Sequence, residues 1–160
     1  MTLVVARIKN DHISVVADTQ ILVNGDALPR EMGLVKSCIL SNGLCVSFSG
    51  SPELATRDIW NFHAKHPAQV GFSDAVSYFE KSSRSTKNEY ILAFARSSKI
   101  VKITNGKRAD SVSKTQWIGD YDAYKEFRGL ETRLRKRLEE GRAISAVFLA
   151  DEPEHSPARL

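Results

Sequence analysis

Thr2, Asp18, Lys36 and Gly50 are the residues whose types and order could do covalent chemistry. A threonine hydroxyl is a poor nucleophile until a base takes its proton. If Thr heads the chain, its own α-amine can be that base, because an α-amino group titrates near neutrality, at about 7.7–8.0. Only Met1 precedes Thr2, and a small second residue suits removal of the initiator Met. A nearby ammonium lowers the pKa of both hydroxyl and amine, and a carboxylate can hold that ammonium in place. A backbone N–H at a glycine turn before a helix can meet an oxyanion. Lys36, Asp18 and Gly50 supply these parts in turn. Taken singly, none stands out. Thr after Met is common, Asp after a strand is usually a turn or cap, Lys at a strand start is usually solvated, and Gly before a helix is usually conformational. Their joint order is what points to chemistry.

The elements that must position these residues read mainly as antiparallel hairpins. Leu3 to Lys9 and His12 to Ala17 are β-rich runs around the turn signal Asn10-Asp11. Residues 19–34 hold Asn24-Gly25-Asp26, Pro29 and Gly33 and read as a loop or irregular hairpin. Lys36 to Leu40 and Leu44 to Ser49 flank Ser41-Asn42-Gly43, a hairpin signal. Ser51-Pro52-Glu53 starts a helix: Ser caps, Pro fits the first turn, and Glu suits the positive end of the dipole. Its apolar stripe is Leu54, Ala55, Ile59 and Phe62, and Pro67 closes it. A second helix starts at Ser73, with Ala75, Val76 and Phe79 inward and a polar end at 82–87.

Strands return at Glu89 to Arg96 and Lys99 to Thr104, and Asn105-Gly106 turns the chain into a weak strand at Ala109 to Ser113. Trp117-Ile118-Gly119-Asp120 leads into a third helix with the stripe Ala123, Phe127, Leu130, Leu134 and Leu138, capped by Gly141. Ala143 to Ala150 reads as a last strand and 151–160 as a polar tail. Segregated antiparallel hairpins and amphipathic helices give an α+β class, with two packed sheets and helices outside, as a single domain over residues 1–150.

Composition bounds the function. A chain of 160 residues is long enough to bury a core. No apolar run reaches the roughly 18 residues of a membrane span, and the N-terminus lacks the form of a secretory signal. A cytoplasmic protein is expected. Cys38 and Cys45 lie in apolar runs and read as small buried residues. His12, His63, His66 and His155 show no ligand spacing, so no metal and no cofactor are expected. The net charge of +4 sits largely in Arg133, Arg135, Lys136 and Arg137. No aromatics interleave with that cluster, so it reads as a solvated helix face, and neither nucleic acid nor membrane is an expected partner.

The stretch from Thr2 to Gly50 resembles the proteasome β-subunits and the HslV-type peptidases, which are N-terminal-nucleophile (Ntn) hydrolases. Thr2-Leu3-Val4-Val5 and Val15-Val16-Ala17-Asp18 place Asp18 sixteen residues after Thr2, as in that family. The segment from Val35 to Gly50, VKSCILSNGLCVSFSG, places Gly50 fourteen residues after Lys36. Ser51 to Phe62 resembles the family's first helix, Ile91 to Ala95 with Ile100 to Gly106 its central hairpin, and Trp117-Ile118-Gly119 the strand end before its third helix. The resemblance implies a four-layer αββα sandwich and peptide-bond hydrolysis through an acyl-enzyme. Thr2 would be nucleophile with its amine as base, Lys36 would tune the site, Asp18 would orient Lys36, and Gly50 would donate to the oxyanion. Gln20, Ile21 and Leu22 would bind substrate backbone. A homo-oligomeric ring, with any ATPase partner unspecified, is implied as well.

Three departures from the family accompany it. The connection from Asp18 to Lys36 is longer. Asp120 stands where the family often has a Ser supporting the terminal amine; it could accept from an ammonium there or cap the third helix. No counterpart of the family's later helix and strands follows Leu138, so the expected sandwich is shortened at its C-terminal end. Besides a threonine-type peptidase or amidase, two other readings stand: a non-catalytic assembly subunit of the same fold, and a basic nucleic-acid-binding module.

Overall fold

In a computed structural model the described residues are 2–19, 22–23, 26–27, 34–41, 43–67, 71–109 and 113–139. In chain order the strands are β1 (Leu3–Lys9), β2 (His12–Ala17), β3 (Leu22–Val23), β4 (Asp26–Ala27), β5 (Ser37–Ser41), β6 (Leu44–Ser49), β7 (Glu89–Phe94), β8 (Lys99–Thr104), β9 (Lys107–Arg108) and β10 (Thr115–Gly119). The helices are α1 (Pro52–Lys65), α2 (Phe72–Thr86) and α3 (Tyr121–Glu139).

Turn chemistry sets the first hairpin. Asn10 and Asp11 both take positive φ, at 49° and 60°, which matches the twist of the flanking strands. The ladder then runs from Lys9↔His12 to Val4↔Ala17. The other side of β1 is taken by β10, in a register from Leu3↔Gly119 to Arg7↔Thr115. The second sheet has the order β5-β6-β7-β8-β9, antiparallel throughout. A third, two-stranded ladder pairs Leu22 with Ala27 and Val23 with Asp26, so the irregular hairpin expected within 19–34 is present in short form.

One face of the five-stranded sheet is covered by α1 and α2. Val46, Phe48, Tyr90, Leu92 and Ile103 of the sheet pack with Ile59, Phe62, Val76 and Phe79 of the helices. The opposite face meets the three-stranded sheet, where Val4, Ala6 and Ile118 close on Ile91. Beyond that sheet the first turn of α3 lies on β10, with Tyr124 stacked on Trp117 at 4.6 Å between ring centroids. The protein is therefore an α+β sandwich of two antiparallel sheets with helices outside. From Lys125 onward the chain is a separate unit, whose described part is the remainder of α3. Within it Leu130 of the predicted stripe is exposed. Gly141, the strand expected at 143–150 and the tail at 151–160 lie outside the described residues.

Three expectations change. Pairing after the two-residue turn Asn105-Gly106 (φ 53° and 73°) begins at Lys107, directly opposite Thr104, two residues before the strand expected at 109–113, of which 110–112 lie outside the described residues. The buried stripe of α1 includes Asp58, while Leu54 is only half-buried. Asp58 tolerates burial because its carboxylate accepts from the hydroxyls of Ser82 and Tyr90, the latter at 3.2 Å, joining α1, α2 and β7. Cys38 and Cys45 are half-buried rather than buried, and both are free thiols. Among the described residues no helix is long and apolar enough to cross a membrane.

Burial disfavours the charged thiolate and pushes the Cys38 thiol up to about 11. The thiolate is the form that alkylates. Iodoacetamide labelling of Cys38, followed by peptide mass mapping, is thus expected to accelerate about tenfold per pH unit through about pH 10, where an unperturbed cysteine levels off near its own pKa of about 8.5.

Candidate active site

Strand order brings the start of β1, the ends of β2, β6 and β10, and the starts of β5 and β7 to one end of the two sheets. Asp18 follows β2. Its N–H donates to the Leu3 carbonyl at 3.0 Å, and its Oδ2 accepts from the Leu3 N–H. Its other oxygen, Oδ1, is paired with Lys36 Nζ. Both carboxylate oxygens thus hold a donor, and the side chain is fixed against the first residues of β1.

Lys36 precedes β5, and its carbonyl accepts from the Phe48 N–H at 3.0 Å, so its backbone is locked to β6. The residue is only 4% exposed. An ammonium taken out of water costs several kcal/mol unless it is paired and hydrogen-bonded. Asp18 supplies the counter-charge. The same Nζ donates to Thr2 Oγ1 at 3.2 Å. The long connection between Asp18 and Lys36 does not disturb this, because the Leu34 N–H closes its neck on the Thr19 carbonyl at 2.8 Å.

Thr2 is held through its backbone from β10. Its carbonyl accepts from the Asp120 N–H at 2.6 Å. Gly119 stands directly before, at φ 100°, and a Cβ there would overlap the Thr2 carbonyl oxygen. The Gly119 N–H donates to Glu89 Oε2 at 3.0 Å, and Glu89 Oε1 accepts from the Thr104 hydroxyl at 3.0 Å. The Asp120 side chain caps α3, its Oδ1 accepting from the Ala123 N–H at 2.9 Å. This is the capping role among the two weighed for Asp120.

Gly50 directly follows β6 at φ 116°, a conformation favouring glycine. The last pair of that ladder is Ser49↔Glu89, which sets Gly50 beside the start of β7. Asn88 fills the space a Gly50 side chain would need. Its Oδ1 accepts from the Ser51 N–H at 2.7 Å, and its Nδ2 donates to the Ser51 carbonyl at 3.2 Å. Ser51 is in turn the N-cap of α1, accepting from the Leu54 N–H at 3.4 Å.

Of the residues singled out from sequence, the structure gathers Thr2, Asp18 and Lys36 in direct contact and seats Gly119 and Asp120 against the Thr2 carbonyl. Gly50 lies two residues beyond Phe48, the backbone partner of Lys36, just past the end of β6. Gln20, Ile21 and Met1 lie outside the described residues, and Leu22 falls in β3. Asn88 and Glu89 were not anticipated. Both stand beside a strong apolar run, and nothing local marks them as partners of glycines more than 25 residues away. Chemically, the arrangement sets an ammonium on a hydroxyl, with the Gly119 turn against the backbone of the same residue.

No family model matches the sequence, and no curated protein matches it. Solved structures do match in fold. A eukaryotic HslV from Trypanosoma brucei superposes with a TM-score of 0.60 at 15% identity, over 74% of this chain and 71% of that one. The Anbu (Gly-1) mutant from Hyphomicrobium sp. strain MC1 superposes with a TM-score of 0.59 at 13% identity, over 76% of this chain and 60% of that one, under two thirds of its length. What is shared at these identities is the fold, the Ntn-type sandwich of two antiparallel sheets with flanking helices.

The close approach of Gly119 to Thr2 has a measurable consequence. Gly119→Ala combines an unfavourable φ with backbone overlap and is expected to lower stability by about 2–3 kcal/mol in urea unfolding. Gly129→Ala, in α3 with nothing within 4 Å of the new methyl, is the control and is expected to gain up to about 1 kcal/mol.

Proposed function

We propose that the protein is a threonine-type Ntn peptidase or amidase, acting through an acyl-enzyme on Thr2 after Met1 is removed. The observation that carries this reading is the buried Lys36 ammonium, paired with Asp18 and donating to Thr2 Oγ1 at 3.2 Å. A hydroxyl beside a desolvated ammonium gives up its proton at less cost, because the alkoxide is formed next to a fixed positive charge. Registering the two sheets needs the ion pair alone; the further bond from Lys36 to the Thr2 hydroxyl is what favours the catalytic reading.

In the proposed reaction the freed α-amine of Thr2 takes the Oγ1 proton as Oγ1 attacks the substrate carbonyl carbon. The oxygen of the resulting tetrahedral adduct is met by the Gly50 N–H. The C–N bond breaks, the protonated amine returns its proton to the leaving nitrogen, and an ester to Thr2 remains. Water, deprotonated by the same amine, then releases the acid. Asp18 orients Lys36. Asp120 fixes Thr2 through its own N–H and caps α3. Residues 20–22 and the Gly50 turn take the substrate backbone as an added strand. Assembly into a closed homo-oligomeric ring in the cytoplasm completes the reading, in line with the HslV-like and Anbu-like fold.

The test is incubation of Met1-free protein with a peptide epoxyketone, which requires the hydroxyl and amine of an N-terminal threonine, followed by peptide mass mapping. The adduct is expected on Thr2, forming at least about 100-fold more slowly in Lys36→Ala. Processed protein that stays unmodified would sink the enzyme reading and leave the non-catalytic assembly subunit.

A further inference from the structure

Two consecutive polar residues at the head of β7 take no part in the chemistry just described, yet each ends on a different glycine-containing segment, Asn88 on Gly50–Ser51 and Glu89 on Gly119, whose neighbour Asp120 holds Thr2. Neighbouring residues of an extended chain point to opposite faces. Tyr90 lies in the core under the helices and Ile91 in the core between the sheets. Asn88 shares the parity of Tyr90 and reaches the Gly50–Ser51 turn, where one amide group satisfies both the N–H and the carbonyl of Ser51. Glu89 shares the parity of Ile91 and reaches the other sheet, where it takes the Gly119 N–H at 3.0 Å. The next N–H in the chain, that of Asp120, holds the Thr2 carbonyl.

Asn88 is only 1% exposed. A buried primary amide must satisfy its own groups, and this one does so on a backbone unit with a matching donor and acceptor. It also occupies the volume next to the Gly50 Cα. The Gly50 backbone, at φ 116°, is therefore walled on the side where it could relax. Glu89 is anchored in turn by the Thr104 hydroxyl at 3.0 Å, so its carboxylate is fixed before it meets Gly119.

We infer that Asn88 and Glu89 are the positioning residues of this site: Asn88 sets the Gly50–Ser51 turn, Glu89 sets the Gly119–Asp120 turn, and a single strand thereby fixes both walls around Thr2. The inference rests on reading Thr2 as nucleophile and Gly50 as oxyanion donor. Neither residue touches the reacting atoms. Each acts through a backbone N–H, and its effect falls on the rate of acylation and not on substrate affinity, because a donor misplaced by about 1 Å can lower a rate on the order of 100-fold.

Three measurements test this on the full-length chain with Met1 removed. In epoxyketone inactivation, Asn88→Ala is expected to lower the maximal rate about 100-fold and change the half-saturating concentration less than about threefold. Asn88→Asp keeps the acceptor for the Ser51 N–H but sets a carboxylate beside the developing oxyanion. Its rate relative to the parent is expected to fall as pH rises through the titration of that carboxyl and to recover as pH is lowered, whereas a merely structural role leaves the ratio flat.

The third readout needs no activity. Hydrogen exchange at the Ser51 amide is expected to speed up at least about tenfold in Asn88→Ala, and that at Gly119 in Glu89→Ala, each variant sparing the other amide. If Asn88→Ala does not fold, the Asn88→Asp pH ratio decides. If the processed parent does not react with the probe, the proposed function fails, and exchange alone decides the positioning. Parent-like Ser51 protection in a folded Asn88→Ala, or a flat pH ratio in Asn88→Asp, would overturn the inference.

Discussion

A buried ammonium is the constraint from which the rest of this structure follows. Lys36 directly precedes the first strand of the five-stranded sheet and is almost wholly removed from water. Nothing apolar can offset that burial, so a carboxylate must come to it. Asp18 comes from the three-stranded sheet and is itself pinned to Leu3. The ion pair therefore registers one sheet against the other at one end. Thr2, next to Leu3, is carried to within 3.2 Å of the same Nζ.

Apolar contact alone would not place these groups. Val4, Ala6, Ile91 and Ile118 hold the middle of the interface, and such contacts tolerate sliding because they are non-directional. The polar ties at the end do not. Lys36–Asp18 and Glu89–Gly119 each cross between the sheets at the end where Thr2 lies. The glycines at 50 and 119 let backbone approach closely where side chains would block it. Packing thus brings the sheets together, while directional bonds decide the geometry in which a hydroxyl could react.

Much of the fold was legible in local chemistry. Asn10-Asp11 and Asn105-Gly106 mark hairpins because their residues accept positive φ, and Ser51-Pro52 marks a helix start because it caps one. Pairing after Gly106 starts two residues earlier than the sequence suggests, since a two-residue turn leaves no slack before it resumes. Asp58 was missed as a core residue because its partners, Ser82 and Tyr90, lie far along the chain. The same limit applies at the site. Thr2, Asp18 and Lys36 could be read from their order, but Asn88 and Glu89 act through contacts 37 and 30 residues away, and a polar pair at a strand start carries no signal of what it faces.

Lys36 and Asp18 act as one unit, and a double-mutant cycle in urea unfolding measures that directly. Lys36→Met and Asp18→Asn are each expected to cost about 3 kcal/mol, the low end for breaking a buried pair, because the Asp18 side chain retains 32% exposure. The double variant is expected to be no less stable than the worse single one, a coupling of at least about 3 kcal/mol. Losses that add within about 0.5 kcal/mol would show two independent residues and contradict the account.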